Sequence, residues 1–120
     1  MSPFKGHTGL KRIFNAAGYS FDGLRAAFTG EAAFRQLVLL NAVLVPCTFL
    51  LQVSRVERAV LIAVCLLALI VELLNSAIEA AIDRISLERH PLSKNAKDMG
   101  SAAQFVALTA IALVWAVILL

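Results

Sequence analysis

The chain reads as an all-α integral membrane protein: three transmembrane helices preceded by an N-terminal amphipathic surface helix. Three observations lead there. Hydrophobic residues make up 60% of its 120 positions and the mean hydropathy is +0.82, whereas a soluble domain is usually near half apolar. Three segments are apolar over a length that can cross a bilayer, which takes about 20 residues in a helix. Lysine and arginine gather on one side of those segments. The length allows a single membrane-embedded domain over residues 1–120. The formal net charge of +3 is modest, and no nucleic-acid partner is expected from it.

The surface helix is expected over about residues 8–29. Leu10, Ile13, Phe14, Ala17, Phe21, Leu24 and Phe28 recur at three- and four-residue steps, with Lys11, Arg12, Asn15, Asp22 and Arg25 on the other side. That pattern suits a helix lying in the membrane interface. Gly18 and Gly23 are places where it could bend. It either anchors the chain at the surface or lines a site facing the second loop. The N-terminus has no continuous apolar core and no small-residue cleavage site, so it is not read as a signal peptide.

The first span is expected over about residues 32–52, interrupted by Arg35, Gln36 and Asn41. The second runs over about 56–86 and the third over about 98–120, uncharged from Met99 onward. Short connections join them, one near 52–57 and a polar one near 86–98. Lys5, Lys11, Arg12, Arg25 and Arg35 precede or open the first span, and Arg84, Arg89, Lys94 and Lys97 flank the second connection. Only Arg55 and Arg58 lie at the other end. The bias puts the N-terminus and the second connection in the cytoplasm. Cys47 and Cys65 lie in separate spans and read as small hydrophobes, with no disulfide or metal site expected from them.

The second span carries the informative pattern. Glu72, Asn75, Ser76, Glu79 and Asp83 all fall within about a quarter of the helix circumference, at ~100° per residue. Ionisable groups at membrane depth are costly and mark a pathway, a pair or a site. At the helical rise of ~1.5 Å, Glu72 lies about 20 Å from Arg58 and Glu79 about 30 Å, near the cytoplasmic edge of the hydrocarbon. Glu31, at the start of the first span, and Lys97 with Asp98, at the start of the third, fall at the same level.

Such carboxylates suit a divalent cation. Mg²⁺ usually binds through one or two carboxylates plus substrate phosphates, and Glu31, Glu79 and Asp83 supply hard oxygens. Glu72 is deeper and more desolvated, which suits a general base, and Asn75 one turn away could orient it. Arg12, Arg25, Lys94 and Lys97 suit phosphate oxygens. A lipid hydroxyl, a base beneath it and a metal-bound nucleotide above would make a lipid kinase. The stripe alone leaves three readings open: enzyme, ion pathway and structural oligomer. No GxxxxGK[ST] loop, kinase Gly-rich loop or HRD-like sequence decides among them, and His7 and His90 are lone loop histidines.

The stretches AAGYSFDGLRAAF, EAAFRQ, VELLNSAIEAAIDRI and KNAKDMGSAA, in that order and spacing, resemble the small prokaryotic diacylglycerol kinase family. The resemblance covers nearly all of residues 9–120, and ELLNSAIEAAIDR with AKDMGSAA is its specific signature. GYSFDGLRAAF and EAAFRQ look more like the Gram-negative diacylglycerol kinases than the related undecaprenol kinases. The resemblance implies a homotrimeric helical bundle in the bacterial cytoplasmic (inner) membrane, with composite active sites between subunits. It implies transfer of the γ-phosphoryl group of MgATP to diacylglycerol, giving phosphatidic acid. An undecaprenol kinase of the same family, or a small non-enzymatic ion-pathway subunit, is the alternative.

The same resemblance assigns residues. Glu72 resembles the catalytic base and Asn75 its neighbour, and Glu31 and Glu79 the metal and nucleotide carboxylates. Arg12, Tyr19, Glu88, Arg89, His90, Lys97 and Asp98 resemble further nucleotide contacts. Lipid contacts are implied at Arg12, Ala16, Ala17, Gly18, Tyr19, Ser20 and Phe21, at Arg25, Ala26, Ala27 and Phe28, and at Ala33, Phe34, Arg35 and Gln36. Arg58, Glu72, Ser101 and Trp115 complete that set. Some positions depart from the pattern. Leu37 stands where some relatives carry an acid, Phe21 and Phe28 where relatives can have tryptophan, and Arg89 where the loop usually has an aromatic. The stretch around 46–53 matches poorly.

Overall fold

The computed structural model describes residues 9–120; Lys5, His7 and the expected first residue of the surface helix lie outside that range. Among the described residues there are four helices and no strand: α1 Gly9–Gly30, α2 Ala32–Thr48, α3 Arg55–Ile85 and α4 Pro91–Leu119. α3 and α4 are each long and apolar enough to cross a membrane. α1 and α2 pass that test only as a pair, bent by 106° at the break between them.

The bend is built by three neighbouring residues. Glu31 takes an extended backbone conformation, φ −124° and ψ 109°, and its side chain makes no capping bond. The end of α1 exposes carbonyls with no partner inside the helix. Arg35, one turn into α2, reaches back and donates from Nη1 to the carbonyls of Phe28 at 2.8 Å and Thr29 at 3.3 Å. Only Ala27 of α1 is buried, so one small side chain forms the closest packing between this helix and the rest.

α2 ends at Thr48, four residues short of the expected end of the first span. The physical reason is local. Pro46 has no N–H to continue the ladder, and the following turns tighten, with Phe49 N on Pro46 O at 3.1 Å and Leu50 N on Cys47 O at 3.0 Å. Arg58 closes this end: Nε donates to Thr48 O at 2.8 Å and Nη2 to Leu51 O at 3.2 Å. Its guanidinium also sits over the Phe49 ring.

α3 starts on a reciprocal capping box between Ser54 and Glu57 and is about 46 Å long at the α-helical rise. α4 begins at Pro91, inside the stretch expected to be the connection. His90 caps it, its Nδ1 accepting from Leu92 N at 3.1 Å, and proline is favoured at the first helical position. About two polar turns therefore precede the apolar part of α4.

The helices pack as a layer 49 × 42 × 22 Å in extent, with α3 touching all three others. The core is thin: Leu37, Ala68, Ala107 and Ile111 form its centre, and Leu61 and Cys65 are fully buried. Small residues let the backbones approach, as is usual between membrane helices. Polar bonds join them too: Asn41 Nδ2 donates to Cys65 O at 3.1 Å, and Trp115 Nε1 to Leu61 O at 3.3 Å. Leu39, Val43, Leu66, Ile70, Phe105, Val106, Leu113 and Val117 are exposed. A surface so apolar suits lipid or a further protein surface, not water.

Candidate functional site

The acidic stripe of α3 grades from buried to exposed along its length. Glu72 is 6% exposed, Asn75, Ser76 and Glu79 are half-buried, and Asp83 is exposed. An apolar helix with one polar face buries that face against its neighbour, and here the neighbour is α4. Gln104 on α4 donates from Nε2 to Glu72 Oε2 at 2.9 Å and to Ala68 O at 3.4 Å.

Asn75 is packed more tightly than any spacing argument foresees. Its amide lies against Gly100 of α4, so close that a Cβ added there would fall 2.0 Å from Asn75 Oδ1. That oxygen is buried and has no hydrogen-bond partner. The Gln104 Oε1 atom is likewise buried without a partner. Two unpartnered amide oxygens thus flank Glu72 where α3 meets α4. Buried polar atoms are normally satisfied, so such orphans are informative.

At the end of α3 lies a cleft of about 630 Å³ between that helix, the connection and the start of α4. It brings together Glu88, Arg89, His90, Lys94 and Lys97 with Asp83. Lys97 Nζ bonds Asp83 Oδ1 at 2.8 Å, tying the two helices, while Asp98 pairs with Lys94. Lys97 and Asp98 are thus placed together in sequence but bound to different partners. Lys97 stands in the polar turns ahead of the apolar part of α4, and the Asp83 bond raises its pKa above the ordinary lysine value.

A second cleft, of about 670 Å³, separates α1 from α3 and is lined by Ser20, Ala26, Ala27, Glu31 and Ser76 among others. A third, of about 530 Å³, is almost wholly apolar and gathers Phe21, Arg25, Phe28 and Phe34. Arg12, Ala17, Gly18, Tyr19, Ala33, Gln36 and Ser101 are exposed and Ala16 is half-buried. Arg58 and Trp115 are not brought to this cluster within one chain. Both sit near Leu61, at the other end of α3, and both bond backbone carbonyls there. Arg35 faces the α1–α2 hinge described above.

The donor set suits a hard divalent cation, since Glu31, in the cleft between α1 and α3, and Glu79, half-buried on α3, offer carboxylate oxygens. Among the described residues no three histidine, cysteine, aspartate or glutamate side chains form a group able to hold a metal.

Sequence reasoning missed Gln104 and Gly100. Gln104 had a visible signal: in the apolar run 99–120 it is one of few polar side chains. Gly100 had none without the crossing of α3 and α4.

A helical membrane protein with a buried carboxylate at depth and a charged cleft at one end of its helices is built to act where lipid meets water. The model of the family described as prokaryotic diacylglycerol kinase matches residues 18–119. A diacylglycerol kinase of Pseudomonas aeruginosa is 80% identical over 119 residues, 99% of this chain and 97% of that protein. Diacylglycerol kinases of Escherichia coli and Haemophilus influenzae are 51% and 46% identical, covering 93% of this chain in each case and 92% and 95% of their own lengths. The chain belongs to the prokaryotic diacylglycerol kinase family. It is an enzyme, a kinase that transfers phosphate to an alcohol acceptor.

Proposed function

We propose that the protein phosphorylates diacylglycerol to phosphatidic acid with MgATP at the cytoplasmic face of the bacterial inner membrane. The observation that carries this reading is Glu72: a buried carboxylate in an apolar helix, below a charged cleft. A lipid hydroxyl reaches that level from the bilayer, and a nucleotide reaches the cleft from water.

Each residue then has a task. Glu72 accepts the proton of the lipid hydroxyl, and Asn75 fixes the geometry one turn away. The hydroxyl oxygen bonds to the γ-phosphorus. The bond from that phosphorus to the bridging oxygen breaks, and ADP leaves with that oxygen. Phosphoryl transfer asks mainly for alignment and charge neutralisation. Lys97, Arg89 and His90 supply positive or donor groups to the nucleotide in the cleft, with Glu88, Asp98, Arg12 and Tyr19 around it. Glu31 and Glu79 are the carboxylates suited to Mg²⁺, which when bound supplies neutralisation of phosphate charge. Phe21, Arg25, Phe28 and Phe34 offer an apolar wall to acyl chains.

The assembly completes the reading. α1 lies in the membrane interface, α2 to α4 span, and the N-terminus is cytoplasmic. Three copies form a homotrimer whose exposed apolar helix faces cover one another, with sites composed between subunits. Arg58 and Trp115, remote from Glu72 within one chain, are half-buried and bonded to backbone carbonyls, so any lipid contact they make is at the outer end, away from the reacting hydroxyl. The test is a purified-protein assay with labelled ATP, offering diacylglycerol and undecaprenol in parallel micelles. Label is expected in phosphatidic acid. Label in the isoprenoid alone would make the chain an undecaprenol kinase, and label in neither, with ion conduction in liposomes, would end the enzymatic reading of this site.

A further inference from the structure

We propose that Gln104 is a positioning residue, which holds the Glu72 carboxylate in the orientation from which it takes the acceptor's proton. The proposal rests on Glu72 being the base. Gln104 enters the site from α4, whereas the whole acidic stripe belongs to α3. Its amide nitrogen carries two hydrogens, and both are engaged on α3: one on Glu72 Oε2 at 2.9 Å, the other on the carbonyl of Ala68 at 3.4 Å. Ala68 is fully buried and stands one turn before Glu72. The carbonyl therefore fixes the amide against the rigid backbone of α3, and the amide fixes one carboxylate oxygen.

The remaining atom of the amide supports the same role. Gln104 Oε1 is buried and unpartnered. An unpaired amide oxygen in apolar surroundings is unfavourable, and a purely structural position would be filled better by a hydrocarbon side chain. The nitrogen's bond to a carboxylate is the favourable half, and bonds to charged acceptors are stronger than neutral ones. With Oε2 held by Gln104, Oε1 of Glu72 is the oxygen left to face the hydroxyl. The packing of α4 on α3 thereby sets the aim of the base, a link that the acidic stripe alone does not contain.

The experiment compares Gln104→Met, nearly the same length without a donor, with the unsubstituted enzyme, alone and in a Glu72→Gln background. A misaimed base lowers turnover, and displacement by about 1 Å can cost about 100-fold. The expected result is a kcat lower by about 10- to 100-fold, with KM for MgATP and for lipid unchanged. In the Glu72→Gln background, Gln104→Met should change nothing further. Gln104→Leu is a second donor-free variant and should behave alike. Thermal unfolding in detergent should shift little for either, because the unpaired amide oxygen is removed together with the nitrogen's bonds to Glu72 and Ala68, and the two effects oppose each other. Normal kcat in both variants would overturn the proposal. So would the same fold-loss in both backgrounds, or a loss confined to KM, since either marks a packing role. Near-normal kcat for Glu72→Gln would instead remove Glu72 as the base and the functional reading with it. An inactive Glu72→Gln beside a fully active Gln104→Met would reject only the positioning role.

Discussion

Gly100→Ala adds one methyl group where α4 lies against Asn75 of α3. The new Cβ would lie 2.0 Å from Asn75 Oδ1, 3.1 Å from its Cγ and 3.8 Å from its Cβ. A carbon and an oxygen in van der Waals contact stand more than 3 Å apart, so the amide has to move by about 1 Å or more. Two responses compete. If the helices separate, the thin core around Ala68 and Ala107 loses contacts, and core losses cost about 1–3 kcal/mol. If the Asn75 side chain turns instead, the strain of leaving a rotamer well is about 0.5–1.5 kcal/mol. Replacing glycine in a helix interior returns about 1 kcal/mol. The second response wins, because the clashing atom is the free end of a flexible side chain. Stability should therefore change little, while the amide beside Glu72 is displaced. A misplacement of that size can lower turnover by about 100-fold. The assay is phosphatidic acid formation from labelled ATP, with thermal unfolding measured in the same detergent. The double variant Asn75→Ala/Gly100→Ala provides the control: with the amide gone, the methyl group should add no further loss to that of Asn75→Ala. Full activity in Gly100→Ala, or a large fall in melting temperature with activity lost in proportion, would refute the reasoning.

Other outcomes follow from the same site. Glu72→Gln keeps shape and removes the base, so kcat should fall by about 10²–10⁴ while nucleotide binding persists, measured by titration with a fluorescent ATP analogue. Glu31→Gln and Glu79→Gln should each weaken the apparent affinity for Mg²⁺ and MgATP, read from initial rates against metal concentration. At a metal concentration too low to support either variant alone, mixing the two should restore part of the activity if the carboxylates come from neighbouring subunits. With subunit exchange verified, mixtures that stay inactive would place the site within one chain or remove these residues from it. Arg35→Met removes both bonds to the last carbonyls of α1, so spin labels on α1 and α3 should show a broader distance distribution; an unchanged distribution would mean that Glu31 and Ala27 hold the bend alone.

Much of this was legible before any coordinates. The four helices follow from the periodicity of α1 and from the apolar length of the three segments after it. The stripe from Glu72 to Asp83 follows from spacing alone. The signature stretches pointed to the family that the comparisons then established. Helix ends were less legible. Thr48 ends α2 because Pro46 and Arg58 act together, and Arg58 lies in the next helix. Pro91 starts α4 within a stretch whose polarity resembles a loop.

A one-dimensional pattern determines which side chains share a helix face, because the α-helical twist is fixed by the backbone itself. It therefore set out the acidic stripe, the apolar spans and the cationic side of α1. It does not determine which residue of one helix meets which residue of another, because that depends on where two surfaces cross and how close they come. The tertiary structure alone brought Gln104 to Glu72, Gly100 to Asn75 and Arg35 to the end of α1. In a helix layer this thin, buried polar contacts form wherever small residues let backbones approach, and that approach exists only once α3 and α4 have packed.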